Sequence, residues 1–160
     1  MAVQSLESFD LTVLYTQIFV SRPGRGGYPL WTDAHVAQGF AWREVCVAFG
    51  IPDHDGECRI EVALGTPPPL AGDCLRAIEV PFLVPPAGIE VGGLAGWRVV
   101  PVPAGPHQIR FDLRPGDTVG LAYRIGLVLT PGAPRRFAIL RRDGEMTAQD
   151  VLTTEAEEAR

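Results

Sequence analysis

The densest run of ligand-type side chains in the 160-residue chain is Asp53-His54-Asp55-Gly56-Glu57. Carboxylate oxygens around one imidazole are the donor types of a divalent-cation site. Neighbours on one turn, however, point apart, and Asp-Gly between two strands is a hairpin signal in which Asp serves the backbone. A turn without a metal is therefore expected there. Three His (His35, His54, His107) and three Cys (Cys46, Cys58, Cys74) lack the spacing of a metal site or a Cys–His nucleophile pair. Cys46 and Cys58 fall in expected strands, where Cys acts as a small hydrophobe. Ser occurs only at Ser5, Ser8 and Ser21, outside any nucleophile elbow. Gly24-Arg25-Gly26-Gly27 resembles a phosphate loop, but no helix follows directly to supply amide donors. Arg135, Arg136, Arg141 and Arg142 form a basic patch that the acidic C-terminus is expected to neutralise. Trp31, Trp42, Trp97, Tyr15 and Phe40 have the types of a sugar-stacking platform, although aromatics in β domains more often fill the core. No catalytic constellation and no cofactor motif emerges, and the chain is expected not to be an enzyme.

The elements around these residues are strands. Apolar positions recur at every second residue in Cys58-Arg59-Ile60-Glu61-Val62-Ala63-Leu64, at Ile78, Val80, Phe82 and Val84, at Ile109, Phe111 and Leu113, and from Val119 through Leu121, Tyr123 and Ile125 to Leu127. Residues 11–20 and 42–49 are β-branched and aromatic but alternate less cleanly, as strands covered on both faces do. Pro- and Gly-rich clusters separate the runs. Together they predict an all-β fold, an antiparallel β-sandwich of about eight or nine strands. One short helix is expected between Thr32, as its cap, and Gly39, as its close, with Asp33 in the first turn.

Net charge is unevenly placed. Nineteen acids oppose fourteen Arg, with no Lys, for a charge of -5. Residues 1–142 hold thirteen of each sign, whereas 143–160 hold six acids against Arg160 alone. The first 142 residues are thus expected to form one neutral domain. The acidic remainder has no apolar face after Leu152 and is expected to be a flexible tail, serving solubility. The absence of Lys excludes a P-loop and Schiff-base chemistry. A neutral body excludes an electrostatic nucleic-acid binder. No apolar stretch is long enough to span a bilayer, no signal peptide is visible, and the odd Cys number suits reduced thiols. A cytoplasmic location is expected.

Several stretches resemble the competence protein J family, the DNA-entry nuclease inhibitors. Residues 11–20 are similar to that family's Ser-Tyr-x-Gln strand, with Leu14 where Ser is usual. Trp31-Thr32-Asp33 precedes an apolar helix, Gln38-Gly39-Phe40-Ala41 and a strand ending Val47-Ala48-Phe49. Val80-Pro81-Phe82-x-Val84, Gly88-Ile89-Glu90-Val91 and Gln108-Ile109-Arg110-Phe111-Asp112-Leu113, closed by Arg114-Pro115-Gly116, complete the match across most of residues 10–130. The resemblance implies a non-enzymatic protein that binds and silences a partner nuclease, without touching nucleic acid or membrane itself. An inhibitor can offer carboxylates where phosphate or metal would otherwise find its partners. Trp31 and Asp33, with Asp53 and Asp55 of the acidic turn, are the residues expected to meet that partner. The competing reading is that Thr32 and Asp33 only cap the helix and Trp31 only packs it. A different class, a sandwich binding carbohydrate through surface aromatics, is the alternative function.

Overall fold

The computed structural model describes residues 2–24, 26–52 and 56–159. Among them eleven strands form two sheets, so the all-β sandwich expected from periodicity is present with more strands than expected. One sheet has six strands: β1 (Gln4–Val13), β5 (Gly56–Leu64), β10 (Tyr123–Pro131), β9 (Gly105–Pro115), β6 (Arg76–Val84) and β11 (Ala138–Arg141), in that spatial order. The other has five: β3 (Phe40–Arg43), β4 (Cys46–Gly50), β2 (Gln17–Ser21), β7 (Ile89–Gly93) and β8 (Gly96–Val100). Pairing is antiparallel except between β5 and β10.

The additional strands come from breaks that periodicity does not mark. Residues 42–49 are a hairpin of β3 and β4 rather than one run. Residues 11–20 also divide, because β1 pairs with β5 in the first sheet whereas β2 pairs with β4 and β7 in the second. The chain crosses between sheets at Tyr15 and Thr16, both at positive φ (59° and 55°). A bulky and a β-branched side chain are unfavourable there, at a cost on the order of 1–3 kcal/mol each. Val119 and Leu121 do not extend β10 as expected; Gly116 and Gly120 turn the chain, and Val119 is fully exposed.

The core lies between the sheets. Cys58, Ile60 and Val62 point inward while Glu61 points out, as alternation requires. Phe49 of β4 stacks on Phe111 of β9, ring centres 4.7 Å apart and planes within 2°, joining the two layers at their centre. The helix α1 (Asp33–Gln38) starts after Thr32 and closes at Gly39, whose φ of 86° needs no strain in glycine. A Cβ on Gly39 would approach Ile78 Cδ1 and Met146 Cε at 3.0 Å, so α1 sits close against the sandwich. No helix among the described residues is long and apolar enough to cross a membrane.

Candidate functional site

Residues 143–159 turn the edge of the sandwich at α1 into a site. Expected as a flexible tail, they lie against the helix and the loop before it. Their attachment is polar, and hydropathy does not announce it. Arg76, 4% exposed, donates from Nε and Nη2 to the two carboxylate oxygens of Asp143 at 2.9 Å and from Nη1 to the Gly50 carbonyl at 2.7 Å. Met146 is buried beside Gly39, and the Ala148 amide donates to the Ala37 carbonyl. Buried Gln38 then clamps the segment. Its Oε1 accepts from the amides of Leu152 and Thr153 at 2.9 and 3.1 Å, and its Nε2 donates to the Thr153 and Phe40 carbonyls.

His35 links the helix cap to the same segment. Its Nδ1 accepts from the Thr32 amide at 2.9 Å, which leaves Nε2 to donate to the Glu155 carbonyl at 3.0 Å. Further on, the Leu30 and Ala159 amides bond with the Glu157 and Tyr28 carbonyls, and Pro29 bridges Glu158. The segment carries Glu145, Asp150, Glu155, Glu157 and Glu158, and so brings the chain's excess negative charge to the helix that bears Asp33.

Trp31 and Asp33 therefore share this edge. Trp31 is half-buried; its Nε1 donates to Gln17 Oε1 at 2.7 Å, and its ring meets His35 edge-on at 6.4 Å. Asp33 is exposed in the first turn. The other two expected residues, Asp53 and Asp55, lie outside the described residues together with His54 of the same turn. Beside Trp31 a cavity of about 660 Å³ opens between the sheet-crossing corner and α1, with Arg76 and Glu145 on its wall. Nothing in the sequence pattern marks Gln38, Arg76 or Glu145 as a site residue, and His35 stands out there only as one of three histidines without metal or nucleophile spacing. Arg76 sits at the very start of a strand, and the partners of Gln38 are more than a hundred residues away.

Other expected chemistry is absorbed structurally. All three thiols are buried and free, and burial pushes Cys46 up to about 12 and Cys58 up to about 11, so both stay protonated. The Gly24 amide donates to Glu90, so a carboxylate of the chain already occupies that loop amide. Arg135 lies over Trp42 and Phe137, Arg136 pairs with Glu79, and Arg141 and Arg142 donate to main-chain carbonyls. The basic patch is thus held mainly by groups other than the acidic side chains expected to neutralise it. Phe40 and Trp42 are core residues and Trp97 lies away on β8, leaving Tyr15 and Trp31 as the aromatics that share a cavity. Among the described residues no three His, Cys, Asp or Glu are grouped to hold a metal.

The model of the family described as competence protein J (ComJ) matches residues 10–128. Curated proteins give no match. Among solved structures, ComJ from Bacillus subtilis, described as an inhibitor of the DNA degrading activity of NucA, is similar with a TM-score of 0.72 at 18% identity. The likeness covers 82% of this chain and 99% of that one. The protein described as crocagin biosynthetic gene J is similar with a TM-score of 0.53 at 13% identity, over 83% of this chain and 100% of that one. At such identities the two structures establish a shared fold. The family match ends inside β10, so β11 and the segment that docks on α1 lie beyond it.

Proposed function

We propose, from the premise that this chain belongs to the competence protein J family, that it is a non-enzymatic inhibitor that binds a partner nuclease and silences it. The match over residues 10–128 is the observation that carries the proposal, and the solved relative described as a nuclease inhibitor supports its direction. Physical chemistry supports the place. A nuclease must present a positive face to DNA phosphates. A body with no net charge can answer that face only with locally gathered carboxylates, and Asp33 and the acids of residues 143–159 gather at α1. Trp31 serves as the apolar anchor of this surface, and Asp53 and Asp55, outside the described residues, are carried in the proposal as further partner contacts on the sequence alone. Buried free thiols fit a reducing compartment, the cytoplasm.

Capture from native-host lysate tests the proposal. The expected result is a nuclease held in a complex near one to one, or a symmetric multiple, with DNA degradation suppressed in proportion to complex formed. Recovery of no nuclease, or of one that remains fully active in the complex, contradicts it. Asp33→Ser leaves the Thr32 cap in place while removing the charge. Its affinity should fall by roughly threefold to tenfold, as for loss of one interfacial charge contact; unchanged affinity removes Asp33 from the surface.

A further inference from the structure

We propose that a roofed cavity on the outer face of the six-stranded sheet binds the carboxamide group of a small guest, matched by Asp112, Glu61 and Arg114. The proposal goes beyond the inhibitory function and uses no part of it. The cavity shares no lining residue with the one beside α1.

The outer face of a sandwich ordinarily lies open to water. Here residues 66–73, between β5 and β6, fold back over it. Arg110, 8% exposed, donates from Nη1 to the Pro68 carbonyl, and Arg124 pairs with Asp73 at 2.7 Å, so side chains of the sheet hold the roof down. Beneath Pro69 and Leu70 a cavity of about 220 Å³ remains, with Ala63 and Val128 also lining it. That is room for about seven waters or one small organic guest.

The polar part of the cavity is built around a missing side chain. Gly126, in the middle of β10, lies in register between Glu61 of β5 and Asp112 of β9. Glycine inside a strand weakens it and often marks a place where another group comes close. Here that group is the Asp112 carboxylate, because a Cβ at 126 would stand 2.7 and 2.9 Å from its oxygens.

The carboxylate so placed accepts no hydrogen bond among the described residues. Its nearest guanidinium nitrogens are Arg110 Nη2 at 3.7 Å and Arg114 Nε at 3.8 Å, close enough to attract and too far to bond. Arg114 donates no hydrogen bond among the described residues either, and the Nε atoms of both arginines are buried without a partner. Polar groups this enclosed are ordinarily satisfied by protein, water or ligand.

A guest must therefore donate to Asp112 and accept from Arg114 within one small space. A carboxamide does both with a single planar group. Its two N–H bonds suit Asp112 and Glu61 on either side of Gly126, and its oxygen suits the Arg114 guanidinium. Charged guests fail pair by pair, without any sum of charges. An ammonium at Asp112 would lie against the two guanidiniums beside it, and a carboxylate at Arg114 would lie against Asp112. Ala63, Leu70 and Val128 suit a short aliphatic body on the amide.

Isovaleramide, isovalerate and isopentylamine share one aliphatic body and differ in the head group. Each is titrated into the full chain and read by the backbone amide resonances of Gly126 and Val128. Isovaleramide should give a saturable shift, with the anion and the amine weaker by about tenfold or more. Asp112→Asn and Arg114→Met should each weaken isovaleramide by about fivefold to tenfold while keeping a cooperative urea transition. An anion or amine that binds as tightly as the amide overturns the site, as does a shift indifferent to both substitutions. No saturable shift at all, the mark of a cavity filled by water alone, overturns it too. Acetyl-Gly-Gln-Gly methylamide separates the sources of the group. Saturation by this peptide as well assigns the cavity to a glutamine side chain, and a response to isovaleramide alone assigns it to a free amide; both uphold the carboxamide.

Discussion

The centre of the sandwich and its α1 edge are held together by opposite means. At the centre, Phe49 and Phe111 stack between two layers of Ile, Val and Leu, and hydrophobic burial supplies the stability. At the edge, residues 143–159 are held by one buried ion pair, a glutamine clamp and a histidine that serves two backbone groups at once. Apolar burial is nondirectional and tolerates changes of shape, whereas the edge depends on a few directed contacts. One region supports the fold, and the other displays charge at the surface. Directed polar contacts suit the second task, because they hold a chain whose side chains must stay in water.

The contrast can be broken most forcefully at the centre. Phe111→Ala should cost about 3–5 kcal/mol in urea denaturation and weaken the whole domain together. Asp143→Ala removes the partner of an Arg76 that cannot reach bulk water and should cost about 2–3 kcal/mol. Amide exchange should show that loss concentrated in residues 143–159 and α1; uniform loss across both sheets would erase the distinction between the regions.

A smaller change sharpens the edge itself. Gln38→Ala should cost about 1–3 kcal/mol. It should raise exchange at the Leu152 and Thr153 amides while leaving Phe49 and Phe111 protected. The smallest effect belongs to the outer face of the six-stranded sheet. There burial raises the Asp112 carboxyl above its ordinary range, against the opposing pull of Arg110 and Arg114. The folded state then holds that proton more tightly than the unfolded chain. Stability must therefore fall as pH rises from the ordinary carboxylate value through the raised one. Asp112→Asn should flatten that part of the stability–pH curve, measured as urea midpoints.

Legibility in the sequence follows the same division. Two-residue alternation announces Ile60, Ile78, Ile109 and Ile125 as inward-facing, and a cap, an acid and a closing glycine announce α1. Neither signal marks the corner at Tyr15 and Thr16, where residues of ordinary strand type adopt a conformation that their chemistry disfavours. Composition locates the excess charge in residues 143–160 correctly but not where it goes, because its attachment runs through main-chain groups that every sequence carries alike. Trp31 and Asp33 are legible as a motif. Their cavity is not, since Arg76 and Glu145 reach it from distant parts of the chain.

Amide hydrogen exchange of the complex with the nuclease recovered from the host tests the central claim most directly, the claim that the α1 edge is the inhibitory surface. The expected result is new protection at residues 15–17, 31–38 and 143–159, with the outer strand β8 unchanged. Protection confined to β8 or to the outer face of the six-stranded sheet, with the α1 edge unaltered, would contradict it.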